Sequence, residues 1–78
     1  MQKDHSEITL DLSGLLCPLP VLRARKRLNQ MPSGARLVIM ATDPMAGIDI
    51  PHFCAEQGHI VEDKMQNGKT LTFRIRKK

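Results

Sequence analysis

The stretch that decides the fold is ITLDLSGLLCPLPVLRARKRL, Ile8–Leu28. Ile8, Leu10 and Leu12 alternate with Thr9, Asp11 and Ser13, the period-two pattern of a strand with one buried face. Gly14 breaks the pattern. Beyond Pro18 the period changes: Val21, Ala24 and Leu28 share one side of a helical wheel, with Arg23, Lys26 and Arg27 opposite. This spacing predicts a helix from about Pro18 to Gln30, stopped by Met31-Pro32-Ser33-Gly34. A strand feeding a helix through a short turn is the first half of a βαβ unit, and the next segment supplies the second half. Arg36–Ala41 (RLVIMA) is a near-continuous apolar run, as in an inner strand, ended by Asp43-Pro44.

A second helix is expected over Ile50–Gln57, with Asp49 as N-cap, Pro51 in the first turn and Gly58 as the stop. Ile60–Met65 reads as a strand, Asn67-Gly68 as a hairpin turn and Thr70–Arg76 as the returning strand. Leu71, Phe73 and Ile75 share one face of that last strand. The order is βαβαββ. A right-handed crossover makes the first two strands parallel, and the second helix most simply lies on the same face as the first. The predicted fold is therefore an α/β two-layer sandwich: a mixed four-stranded sheet with two helices on one face.

With 78 residues, the chain has room for one core, so residues 1–78 are expected to be one domain, with 1–6 a flexible tail that includes His5. The sequence begins MQKDHSEITLDL, polar and acidic where a signal peptide would be apolar. No apolar run approaches the ~20 residues that span a bilayer. A cytoplasmic location with reduced thiols is expected, with no membrane association. Net charge is +4, which favours acidic partners without naming one. There is no Trp or Tyr and only two Phe, so the chain lacks the stacking platforms of single-strand RNA binders. No oligomer is indicated, and a monomer is expected.

The chemistry concentrates at Cys17. Proline lacks an N–H and fixes its own φ, so only the first turn of a helix accepts it without penalty. Placing Pro18 first in the helix puts Pro20 in the same turn and Cys17 at the N-cap or beside it. The prolines and Gly14 fix the cysteine at a helix entrance, after a strand's C-terminal end, where α/β folds site their chemistry. The positive end of the helix macrodipole is expected to lower the thiol pKa and favour the nucleophilic thiolate. The plainer alternative is a small buried cysteine, since free cysteine is among the most buried residue types; a filler residue does not need so stiff a mount. Cys54, beside Phe53 within the second helix, does fit that alternative. His52, Cys54 and His59 match no familiar zinc spacing, and no metal is expected. Arg25 falls beside the apolar stripe of the first helix. It is either a snorkelling side chain or a docking contact, and the remaining basic residues form a solvated face that can double as a docking patch.

Cys17-Pro18-Leu19-Pro20 at a helix start, followed by Asp43-Pro44 … Asp49-Ile50 and Gly58-His59, resembles the TusA/SirA-like family of small sulfur carriers, over essentially the whole chain after the first few residues. The resemblance implies the same βαβαββ fold. It also implies a sulfurtransferase in which Cys17 accepts sulfane sulfur as a persulfide from a pyridoxal-phosphate cysteine desulfurase. The sulfur then passes to an acceptor protein, for tRNA thiolation or for molybdenum-cofactor and sulfur metabolism. No cofactor of the carrier itself and no direct nucleic-acid contact are implied. The tRNA branch typically carries an acidic residue between the prolines. Leu19 departs from that, pointing to an apolar rim and a different partner preference, with Arg23, Arg25, Lys26 and Arg27 as further docking candidates. The competing reading is a basic regulatory or RNA- or protein-binding module, since this element order also occurs in the C-terminal domain of a bacterial translation initiation factor.

Overall fold

A computed structural model describes residues 7–78; the expected tail at 1–6, with His5, lies outside the described residues. The elements are β1 (Glu7–Leu12), α1 (Leu19–Asn29), β2 (Arg36–Ala41), α2 (Ala46–Gln57), β3 (Ile60–Asn67) and β4 (Thr70–Arg76). They form one four-stranded sheet in the order β1-β2-β4-β3. β1 pairs parallel with β2, and the other neighbours are antiparallel. The βαβαββ mixed sheet is as the sequence predicts.

Strand alternation builds the core. Leu12, Leu37, Ile39, Ala41, Phe73 and Ile75 are buried in one cluster with Ala24 and Leu28 of α1 and Ile50, Phe53 and Cys54 of α2. Both helices therefore cover the same face of the sheet. The inner position of RLVIMA is confirmed, with β2 flanked by β1 and β4. β3 forms one edge. Its exposed Glu62, Asp63 and Lys64 and a register shift between Val61 and Asp63 blunt that edge against further pairing.

Three boundaries differ from expectation. α1 begins at Leu19, with Pro18 as its N-cap, so Pro18 is not the first helical residue; Pro20 is in the first turn as expected. α2 begins at Ala46, four residues before Ile50, and Asp49 is in its first turn while Pro51 lies inside it. The real start signal is Asp43, whose Oδ1 accepts from Met45 N at 3.1 Å. Successive short bonds, from Ala46 N to Asp43 O and from Gly47 N to Pro44 O, then wind the entry turn. Pro51 lies one turn further into the helix than proline's preference for the first turn predicts. Finally, β3 runs to Asn67, which pairs with Thr70, so the hairpin loop is Gly68-Lys69. Gly68 there has φ +62°, a left-handed conformation that glycine adopts freely.

Candidate functional site

The site is built from three chain segments that meet at the C-terminal ends of β1 and β2. After β1 the chain turns at Ser13-Gly14, where Gly14 has φ +84° and its N–H donates to Thr42 Oγ1 at 2.9 Å. This bond ties the turn to the loop after β2. Leu19 N bonds to Leu16 O at 2.9 Å, and Leu22 N to Pro18 O at 3.2 Å opens α1. Cys17 thus sits on a tight turn one residue before the N-cap, the second of the two positions that the sequence allowed. The Cys17–Pro18 peptide is cis.

Asp43 pins this turn. Its carboxylate accepts from Cys17 N through Oδ2 at 2.5 Å and from Met45 N through Oδ1 at 3.1 Å. Asp43 is the one buried charged side chain among the described residues, 7% exposed, and these bonds satisfy what burial would otherwise leave costly. The Cys17 side chain is exposed, and its Sγ donates to Asp49 Oδ2 at 3.3 Å.

The electrostatics reverse the expected pKa shift. The hydrogen bond to Asp49 pushes the Cys17 thiol above its ordinary value. Partial desolvation and the charges of Asp49 and Asp43 act in the same direction. The helix macrodipole amounts to about half a charge at its end, and α1 starts only at Leu19, whereas the Asp49 carboxylate is hydrogen-bonded to the sulfur itself and Asp43 to the backbone N–H of the same residue. The spacing predicts Asp49 as a helix cap, whereas the structure places it in the first turn of α2 and makes it the thiol's partner. The repeated Asp-Pro and Asp-Ile-Pro pattern was the available signal.

The exposed large apolar side chains include Leu16, Leu19, Leu22, Met45 and Ile48. Leu16 and Leu19 belong to the Cys17 turn, and Leu22 follows one helical turn later. Leu16 and Leu19 flank the thiol as an apolar rim, with Met45 tied to the same turn through Asp43. Ile48, which precedes Asp49, instead lines a separate groove with Met65 and Leu71. The sequence points to Leu19 for this rim and does not place Met45. The four basic candidates divide between two sides of α1. Arg23, Lys26 and Arg27 line a groove with Leu10 and Gln30. Arg25 lines a groove of about 290 Å³ between α1 and α2 with Pro18, Asp49, His52 and Glu56.

His52, Cys54 and His59 do not converge. His52 faces Glu56 at 3.5 Å, His59 Nδ1 accepts from Lys78 N at 3.1 Å, and Cys54 is buried in the core. Burial pushes the Cys54 thiol up to about 11. Iodoacetamide is therefore expected to modify Cys17 alone in the folded protein and both thiols in denaturant, read by intact mass. Equal labelling of both in the native state would contradict the burial of Cys54. On the open face of the sheet, Arg36 and Arg76 reach Glu62 at 2.7 and 3.7 Å, and Arg74 reaches Glu7 at 3.5 Å. Acids thus offset part of the basic surface that a nucleic acid would need.

The two-layer βαβαββ sandwich has the fold of a SirA-like α/β protein. A crystal structure of a SirA-like protein from Desulfitobacterium hafniense superposes with a TM-score of 0.79, covering 88% of this chain and 95% of that one at 21% identity, which establishes the likeness of fold. The family model described as sulfurtransferase TusA matches residues 8–77, and the chain belongs to that family. Among its relatives, the sulfur carrier protein TusA of Allochromatium vinosum is 44% identical over 68 residues, 87% of this chain and 90% of that protein. The TusA protein of Pseudomonas entomophila is 39% identical over 72 residues, 92% of this chain and 90% of that one. A sulfur-carrier role follows at the level of the family.

Proposed function

We propose that the chain carries sulfane sulfur as a persulfide on Cys17, taking it from a pyridoxal-phosphate cysteine desulfurase and passing it to a cysteine of an acceptor protein. The observation that carries this reading is the exposed Cys17 thiol, mounted on a turn whose backbone is pinned by Asp43. Exposure is what a carrier needs. The sulfur must be reachable by two partners in turn, and each transfer is a substitution in which a thiolate attacks a sulfane sulfur.

Leu19 and the neighbouring apolar side chains are the docking rim. A partner covering Leu16, Leu19, Leu22 and Met45 excludes water from the transfer and gains from burying apolar surface. Pro18, Pro20 and Gly14 hold the turn that presents the thiol. Arg25 is placed to contact a partner that approaches across the α1–α2 groove, while Arg23, Lys26 and Arg27 offer a separate basic patch. A leucine between the prolines suits partners with an apolar contact at that point.

The test is incubation with a cysteine desulfurase and free cysteine, followed by intact mass spectrometry. A gain of one sulfur atom, removed by dithiothreitol and mapped to Cys17, is the expected result. Absence of any adduct across several desulfurases, with salt-sensitive RNA binding instead, would overturn the carrier reading in favour of a binding module.

A further inference from the structure

The mouth around Cys17 has a charge opposite to that of the protein. The chain carries a net +4, yet the two ionisable groups bonded to Cys17 are both acids, Asp43 on its backbone N–H and Asp49 on its sulfur. The charged groups around Asp49 are Arg25 from α1 and His52 and Glu56 from α2, which line the α1–α2 groove with it, and Asp43 from the loop before α2, which holds the Cys17 N–H. His52 and Glu56 face one another. Among the described residues, no ion pair engages Asp43 or Asp49. Asp43 is buried and committed to two backbone N–H groups. Asp49 is only half-buried and can be reached from outside.

We propose that Asp49 makes this mouth a receptor for a cationic group on the sulfur donor. In the free chain its carboxylate holds the Cys17 thiol by a hydrogen bond, and a donor ammonium or guanidinium seated on Asp49 frees Cys17 to attack. This deepens the persulfide-carrier reading and rests on it. A carboxylate next to a thiol opposes the thiolate, and a cation paired with that carboxylate removes the opposition. The free carrier therefore keeps its exposed sulfur in the less reactive thiol form, and docking itself supplies the activation. The partner surface that fits is a lysine or arginine beside the donor's persulfide, within an apolar contact that meets Leu16 and Leu19.

The step balances without an outside oxidant. Cys17 Sγ forms a bond to the terminal sulfur of the donor R–S–SH as the R–S to terminal-sulfur bond breaks. The electron pair of the broken bond leaves with R–S⁻, which takes up the proton that Cys17 gave up. The sulfane sulfur changes carrier at unchanged oxidation state.

Two small donors of similar length test the inference: cysteamine persulfide, which is cationic, and 3-mercaptopropionate persulfide, which is anionic. Loading of Cys17 is followed by intact mass at neutral pH and low salt. The net charge of the protein favours the anionic donor, so a preference for the cationic one reports the local field. One unit charge a few ångströms away in water corresponds to a ratio of about fivefold. We expect the intact chain to load at least about fivefold faster from cysteamine persulfide, Asp49→Asn to bring the ratio to unity or below, and Asp49→Glu to retain it. Asp49→Asn should also move the pH–rate profile for iodoacetamide alkylation of Cys17 to lower pH, a readout that a merely structural role would leave in place. A ratio near unity in the unaltered chain, or one that survives Asp49→Asn, would overturn the inference while leaving the carrier reading intact. Failure of both donors to load Cys17 at all would overturn the carrier reading and this inference with it.

Discussion

Cys17→Ser is expected to abolish sulfur loading completely, whereas Cys54→Ala leaves it unchanged. Serine keeps the size of the side chain and the backbone hydrogen bond from residue 17 to Asp43, so the turn and the apolar rim persist. What is lost is the nucleophile. A hydroxyl does not ionise near neutral pH and does not attack sulfane sulfur, while a thiol does so through its thiolate. Cys54 is 1% exposed, and its thiol is pushed up to about 11 by burial, so it is neither reachable nor ionised. Its removal should cost some packing and no transfer. The measurement is the mass gain after incubation with a desulfurase and cysteine. Persistent loading of the Cys17→Ser variant would move the chemistry elsewhere and refute the assignment.

The largest stability effect is expected from Phe73→Ala. Phe73 is fully buried on β4, paired with Ile39 of β2 on one side and Lys64 of β3 on the other. It is also one of only two phenylalanines. Truncating a buried Phe to Ala costs about 3–5 kcal/mol through lost transfer energy and the cavity left behind. Proteins are stable by roughly 0.05–0.15 kcal/mol per residue, and among the described residues the buried side chains share the one cluster that holds Phe73. The substitution therefore removes a large share of the whole. With an m-value of about 1–1.5 kcal/mol/M in urea, the unfolding midpoint should fall by about 2–5 M, to the point where the variant is largely unfolded in buffer. A shift below about 1 M would mean that the helices collapse onto the vacated space.

Both effects depend on features of unequal legibility in the sequence. The alternation of Ile8, Leu10 and Leu12 and the apolar run of β2 were readable because each reports a local, repeating requirement: which side of a strand meets the core. Cys17 was readable because the two prolines leave few places for a helix to begin. The start of α2 was misread because Asp43 works across the loop, through Met45 N and Cys17 N, and nothing in the spacing of Asp49 and Pro51 records that. The hairpin loop moved by one residue for a similar reason, since the pairing of Asn67 with Thr70 is set by the register of β3 on β4.

The pKa of Cys17 shows the division most clearly. By itself the sequence determined the element order, the buried faces, the helix entrance and the cysteine mounted on it, because hydrophobic periodicity and proline's missing N–H act over a few residues. Only the tertiary structure decided what faces the sulfur. Asp43 and Asp49 lie 26 and 32 residues away along the chain, and they reach Cys17 because parallel pairing of β1 with β2 brings the ends of both strands together. Charge acts through space at a few ångströms, so two carboxylates delivered by the fold outweigh the dipole of the helix that the sequence made visible.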